Sequence, residues 1–173
     1  AWIDLPVAKT HGSKITVAMK NQFGLLPGHV YGWSKARGTR SHEGIPHAPR
    51  VIDETFVDLM LITEPDFVVV DMIAGSEGGA FERAFRRANI VLAGRDPVAC
   101  DLVAGKLMGF NPDDLEFAEL AARRGHGPGR YDNVTIAGAE VAPLVSRWVK
   151  AGRNYSGEWS EHADYGKGPR RWT

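Results

Sequence analysis

The stretch LPVAKTHGSKITVAMKNQFG carries the side chains with the clearest chemical potential in this 173-residue chain. Lys9 and His11 follow a strand-like run, and Lys20 and Asn21 lie near the end of a run with helical spacing that Ser13 is suited to cap. Cationic side chains and the N–H groups at the start of a helix both favour bound anions. The stretch therefore predicts a site for a small anionic ligand.

Each of these residues also has an ordinary structural explanation. Lys9 could be a solvated surface lysine and His11 a turn residue. Lys20 is a cation near a helix C-terminus, where the helix dipole favours it, and Asn21 could help to cap that helix. The types and spacing alone leave both interpretations open.

A second group of candidates follows the apolar run VVVDMI. Asp71 lies near the end of that run, and AGSEGG adds Gly75, Glu77 and Gly78. The glycines match neither the dinucleotide fingerprint nor the Walker phosphate loop. A plain mobile turn is the alternative. Glu77 lies between glycines and is expected to be exposed. It could act there as an acid, a base or a metal ligand.

A third group opens the helix DPVACDLVAGKLMG. Asp96 is suited to cap this helix and Pro97 to occupy its first turn. Asp101 falls in a largely apolar segment, and an ionised carboxylate there needs a partner. Lys20, Arg95 or a metal ion could supply it, and so could Lys106, although it is five residues on and not at the favoured helical spacing.

The expected fold class is α/β, with a mostly parallel sheet flanked by helices in a single layered domain, because strand-like and helical segments alternate. In such sheets ligands bind beyond the carboxyl ends of the strands. If the strands are neighbours and parallel, the three groups converge on one pocket. The expected elements are strands at Trp2–Val7, DFVVVDMI, NIVLAG and NVTIAG, and helices over Ser13–Gly24, from Ile52 to before Pro65, from Asp96 to Gly109, and from Asn111 to near Gly125.

Residues 1–145 are predicted to form this domain, and residues 146–173 an aromatic, glycine-rich tail laid over its own domain or a partner. A strand-like run directly after Ala1 suggests a fragment or a processed form.

Composition narrows the function classes. Basic and acidic residues balance at 21 each, which argues against nucleic-acid binding. No apolar run approaches the roughly 18 residues of a membrane span. The single cysteine, Cys100, is expected in the core and could not hold an iron–sulfur cluster, which takes about four thiolates. Three histidines in the loop of residues 25–50 match no common zinc spacing: His29, His42 and His47.

Taken together, LPVAKTHG, TVAMKNQFGLLPG, VVVDMIAGSEGG and DPVACDLVAGKLMG, with a Gly-rich turn before VTIAG, resemble the family of domain of unknown function 362 from about Ile3 to Gly138. Members of this family are often joined to, or encoded beside, ferredoxin-like iron–sulfur modules, and some carry a twin-arginine export leader. The resemblance therefore implies redox work for those modules rather than for this domain. It also suggests that the family's N-terminal half is missing and the C-terminal portion present. The residues it marks are Lys9, His11, Lys20, Asn21, Gly24, Asp71, Glu77, Asp96 and Asp101.

The leading hypothesis is a redox-associated enzyme domain that binds a small anionic substrate or cofactor. In this hypothesis the catalytic residues are His11, Lys20 and Asp101. The residues that hold the ligand are Lys9, Asn21, Gly75 and Gly78, and those that bind a metal are Asp71, Glu77 and Asp96. Oxygen donors of this kind would favour Mg²⁺, Mn²⁺ or Fe²⁺.

The alternative is a non-catalytic partner domain of an iron–sulfur redox protein. Expected partners are a ferredoxin-like protein or a missing N-terminal portion, and a homo-oligomer is possible. The location would be cytoplasmic, or exported after removal of a twin-arginine leader.

Overall fold

A computed structural model describes residues 1–12, 14–32, 35–36, 38–39, 43–46, 48, 51–79 and 84–151. The strands are β1 Ile3–Asp4, β2 Val7–His11, β3 Lys14–Thr16, β4 Phe67–Glu77 and β5 Ala84–Gly94. The helices are α1 Ala18–Asn21, α2 Gly28–Tyr31, α3 Val51–Thr63, α4 Pro97–Leu107 and α5 Glu116–Arg123. Short 3₁₀ turns occur at Gln22–Leu25, Pro112–Asp114, Tyr131–Asn133 and Ala142–Leu144.

The α/β fold class is confirmed, and β4 is the strand around which the sheet is built. β1 and β2 both pair with β4 in parallel, so these three strands share one direction. β5 pairs with β4 antiparallel, and β3 pairs with β2 antiparallel. Val68 pairs with Asp4 of β1 on one side and with Gly94 of β5 on the other, so β1 and β5 flank β4.

The helices that the sequence signals most clearly are confirmed. α3 ends at Thr63, before Pro65. The Asp96 side chain accepts hydrogen bonds from the N–H groups of Val98 and Ala99 and so caps α4, as its position predicts. The segment after Asn111 begins with a 3₁₀ turn and continues as α5.

Several element predictions are wrong. The strand expected at Trp2–Val7 is divided into β1 and β2, and β2 includes Lys9 and His11, which were expected to follow the strand. Helix α2 lies in the loop expected at residues 25–50.

Residues 14–16 form β3 rather than the first turn of a helix, because Ile15 and Thr16 pair with β2; Ser13 lies outside the described residues. Residues 134–137 of NVTIAG form no strand, since no described strand lies beside them. β4 continues through Glu77, so most of the expected GSEGG turn is strand.

The two faces of the sheet differ in burial. Val68, Val70 and Met72 of β4 are fully buried and face the helices. The core continues between the helices, where the Phe56 ring packs edge-on against Phe23 at 5.5 Å and near Phe117 at 6.0 Å between centroids. The opposite face exposes Ile3, Leu5, Val7, Ile73 and Val91. We call the surface formed by these five residues the open face.

The chain returns to the sheet after α5 as an extended strip, Ser146–Val149, which we call the closing segment. The N–H group of Ser146 donates to the carbonyl oxygen of Leu107. The Val149 carbonyl oxygen accepts from the Gly78 N–H at 3.0 Å and from the Thr10 hydroxyl at 2.8 Å. The closing segment therefore lies across the carboxyl ends of β2 and β4.

The closing segment belongs to the predicted tail, and it packs on its own domain. Residues 152–173 of that tail lie outside the described residues, and the boundary at residue 145 stays a prediction. Over the part of the chain that is described, no helix is long and apolar enough to cross a bilayer.

Candidate functional site

Lys20 lies on α1 with its ammonium group against two aromatic rings. Its Nζ atom is 4.9 Å from the centroid of Phe23 and 5.6 Å from that of Phe56. Burial, and next the nearby positive charge of Lys9, lower the pKa of Lys20 from 10.5 to about 8. A lysine in such surroundings exchanges protons close to neutral pH, unlike an ordinary surface lysine.

Lys9 and His11 lie on β2, two residues apart and therefore on the same side of the strand as exposed Val7. Both side chains are half-buried. Lys9 pairs with Thr16 of β3 and with Ser76 of β4. Within the described residues no carboxylate forms an ion pair with Lys9, so its charge is available to a ligand.

Asn21 is anchored by a carboxylate that the sequence did not single out. Its Nδ2 atom donates to Oδ1 of Asp4 at 2.6 Å. Asp4 is only 3% exposed, and its Oδ2 atom has no hydrogen-bond partner among the described residues. Burial raises the pKa of Asp4, and the hydrogen bond from Asn21 partly opposes that rise. The alternation of WIDLPVA predicts the opposite of this burial, because it places the apolar Ile3 and Leu5 on one side of the strand and Asp4 on the other.

Asp101 fixes the start of α1 from a distance. Its carboxylate is 1% exposed and accepts the N–H groups of Ala18 at 2.6 Å and Met19 at 3.3 Å. Burial raises the pKa of Asp101; the two backbone hydrogen bonds lower it, and the nearby carboxylates of Asp4 and Asp96 raise it. The partners that the sequence required are thus main-chain donors, and Asp101 positions the helix that carries Lys20.

The three carboxylates predicted to hold a metal each have protein partners. Glu77 was expected to be exposed but is buried; it forms an ion pair with Arg86 at 3.0 Å and also accepts the Val149 N–H at 2.9 Å. The carboxylate of exposed Asp71 accepts the Ile73 N–H at 2.8 Å, and Asp96 caps α4. No group of three or more metal-ligating side chains occurs in the described ranges, and metal binding stays a prediction.

The expected meeting of three strand ends is wrong for β5. Because β5 is antiparallel to β4, Gly94 pairs with Val68 at the start of β4, whereas Ser76 and Glu77 lie at its end. Arg95 and Asp96 therefore leave the sheet at the end opposite the closing segment. β2 and β4 do end side by side, where Lys9 pairs with Ser76.

Gly75 and Gly78, predicted to hold the ligand, are used in packing. The indole ring of Trp148 and the carbonyl oxygen of Ala8 occupy the space where a side chain at Gly75 would begin. The Gly78 N–H is directed to the Val149 carbonyl and the Thr10 hydroxyl, and the φ angle of Gly78 is +90°. The roles of Trp148 and Thr10 could not be predicted from the sequence, because their contacts join distant parts of the chain.

We expect Gly75→Ala to lower the free energy of unfolding by about 1–3 kcal/mol, because the new methyl group overlaps Trp148 and the backbone of Ala8. Gly24→Ala is the matched control, since nothing lies within 4 Å of its added methyl group. Urea denaturation of both variants checks the expectation. Equal stability of the two would show that Trp148 does not occupy that space.

The described residues form an α/β domain in which the charge of Lys9 acts on Lys20. The chain belongs to the family described as Domain of unknown function (DUF362), whose model matches residues 1–106. The expected C-terminal portion is not borne out, because the match lies in the N-terminal part of this chain. No curated protein and no solved structure matches the chain.

Proposed function

We propose that this domain binds a small anionic substrate or cofactor between Lys9 and Lys20. One observation carries the proposal: the charge of Lys9 adds to burial in holding the pKa of Lys20 at about 8. Desolvation of Lys20 and its repulsion by Lys9 both disfavour the charged form of Lys20. An anion bound between the two ammonium groups would offset both effects. A bound anion would therefore stabilise this arrangement of the two lysines.

The surroundings of Lys20 support a binding role, because they fix its position. Asp101 holds the first N–H groups of α1, and Asp4 holds Asn21, the residue after Lys20. Binding is tighter when the groups that contact a ligand are ordered beforehand. In this proposal Asp101 and Asn21 are positioning residues and do not touch the ligand.

His11 is the proposed proton-transfer group. It lies two residues beyond Lys9 on the same side of β2. Histidine is the side chain whose unperturbed pKa is closest to neutrality, which suits a general acid or base. An anion held by Lys9 would therefore lie within reach of the His11 side chain.

The proposed reaction class is redox, in association with an iron–sulfur partner protein. The support is the family resemblance. The cluster would be held by the partner, because Cys100 is the single cysteine of this chain and its side chain is buried. A divalent metal at this site is a further proposal, through Asp71, which is exposed.

A non-catalytic partner domain is the second candidate. One observation favours it: three carboxylates predicted to be functional form hydrogen bonds or an ion pair within the protein. Asp101 and Asp96 bind helix N–H groups, and Glu77 binds Arg86 and the closing segment. Such a domain would bind the anion without transforming it.

We expect Lys20→Met and Lys9→Met each to weaken the binding of sulfate or oxalate at pH 7 by about tenfold or more, the size of one lost charge-assisted hydrogen bond. Calorimetric titration measures this directly. Lys106→Met is the matched control, because Lys106 is also half-buried and its Nζ atom lies 5.8 Å from the Tyr131 ring centroid.

Equal affinity in all three variants would place the anion elsewhere. An anion that the protein transforms would itself exclude the non-catalytic candidate, and His11→Asn then tests the role of His11. Turnover lost with affinity retained is the result expected if His11 transfers the proton. Turnover unchanged in this variant would remove His11 from the chemistry.

A further inference from the structure

Three buried polar atoms have no hydrogen-bond partner among the described residues, and all of them lie close to α1. They are Oγ1 of Thr16, Oδ2 of Asp4 and Nε2 of Gln22. Thr16 shortly precedes α1, Gln22 directly follows it, and the other carboxylate oxygen of Asp4 accepts from Asn21 within it. A buried polar group without a partner destabilises a folded chain and needs an explanation. Their common location indicates that a ligand supplies a missing partner beside α1.

Thr16 is the residue of this set that adjoins the proposed anion site. It pairs with Lys9 across β2 and β3. Directly opposite residues of an antiparallel pair project from the same face, with Cβ atoms about 4.5–5.5 Å apart. Thr16 is only 7% exposed, whereas Lys9 is half-buried, and the flexible stem of Lys9 can place its ammonium group over this neighbour. One small ligand can therefore contact both side chains.

The chemistry of the Thr16 side chain suits an oxyanion. A hydroxyl group donates one hydrogen bond, and hydrogen bonds to an ionised acceptor are stronger than those between neutral groups. Sulfate, phosphate and carboxylate groups each carry more than one acceptor oxygen. One oxygen can face Thr16 while another faces Lys9 and Lys20, whose charges already act on each other.

We propose that the Thr16 hydroxyl is a further ligand-binding group of the anion site and that the charged part of the ligand is an oxyanion. This inference rests on the proposed function and deepens it. The half-buried side chain of Lys9 moves to admit the anion, and Thr16 then donates a hydrogen bond to it. Without the anion the hydroxyl lacks a partner, so Thr16 lowers the stability of the free chain and raises its affinity for the ligand.

The test is Thr16→Val, which keeps a β-branched side chain suited to a strand and removes the hydroxyl. We expect its affinity for sulfate at pH 7 to fall by about tenfold or more, the size of one lost hydrogen bond to a charged group. Its midpoint of urea denaturation without sulfate should stay the same or rise, because a buried group without a partner is removed. Calorimetric titration and urea denaturation measure the two effects.

Thr10→Val is the matched control for stability. Thr10 is also buried, but its hydroxyl donates to the Val149 carbonyl oxygen at 2.8 Å and accepts the Gly78 N–H at 2.7 Å. Removing that hydroxyl should lower the urea midpoint, because both groups lose a partner. An equal drop in Thr16→Val would mean that its hydroxyl has a structural partner, and the proposal would be wrong.

The lysine variants separate this inference from the proposed function. If Lys9→Met and Lys20→Met weaken sulfate binding while Thr16→Val does not, the anion site stands and the role of Thr16 is refuted. If all three variants bind sulfate as tightly as the unmodified chain, the proposed site is wrong and the inference with it. Lost affinity with stability retained in Thr16→Val is the result that a ligand contact predicts and a structural role does not.

Discussion

Replacing Asp101 with alanine is expected to lower the free energy of unfolding by about 2–4 kcal/mol, because two buried N–H donors lose their acceptor. These donors belong to Ala18 and Met19, at the start of α1. Since α1 carries Lys20 and Asn21, the loss should also loosen the candidate site. Urea denaturation measures the first effect, and calorimetric titration with sulfate the second.

Two comparisons make this expectation specific to the long-range contact. Asp101→Asn keeps a side-chain acceptor and removes the cost of a buried charge, so it should retain most of the stability. Asp96→Ala removes a local helix cap and should cost about 1 kcal/mol. If Asp101→Ala is no less stable than Asp96→Ala, Asp101 does not hold α1.

The second large effect is a pH dependence of anion affinity. A bound anion favours the charged form of Lys20 and raises its pKa above the value of about 8 that it has without ligand. Above about pH 8, Lys20 therefore takes up a proton when the anion binds. The affinity for sulfate should be constant well below pH 8 and fall by up to about tenfold per pH unit above it.

Sulfate suits this measurement because it keeps its charge across the range. Lys20→Met should bind weakly and without the step near pH 8, whereas Lys106→Met should keep it. A step that survives in Lys20→Met would assign the titrating group elsewhere. A flat profile in the unmodified chain would mean that Lys20 does not contact the anion.

The same shift predicts how Lys20 affects stability without an anion. A lysine whose folded pKa is lowered binds fewer protons in the folded than in the unfolded chain between about pH 8 and 10.5. Its contribution to stability therefore rises with pH across that window. An anion that binds between the lysines would reduce this dependence.

Local signals in the sequence were sufficient for several elements. α4 was predictable because its cap, its first-turn proline and Gly109 lie within one short stretch. The position of Lys20 and Asn21 on a short helix was likewise predictable from neighbouring residues, although the start of that helix was not. The buried strand before Glu77 followed from its run of β-branched residues.

What the sequence could not show depends on contacts between distant residues. The direction of β5 is set by its pairing with β4, and apolar content is the same for a parallel and an antiparallel strand. Asp101 was recognised as a buried carboxylate in need of a partner, yet its partners lie more than 80 residues earlier in the chain. Val149 of the closing segment bonds to Thr10, 139 residues earlier, and also to Gly78, in a different part of the chain.

The most direct test of the anion site is the titration of the Lys20 side chain by NMR, with the ¹³Cε and ¹⁵Nζ signals assigned by comparison with Lys20→Met. Without an anion the signals should titrate with a pKa of about 8. Adding sulfate should move that pKa upward, and Lys9→Met should raise it in the absence of sulfate. A Lys20 that titrates near 10.5 and does not respond to sulfate or to the change at Lys9 would contradict the account.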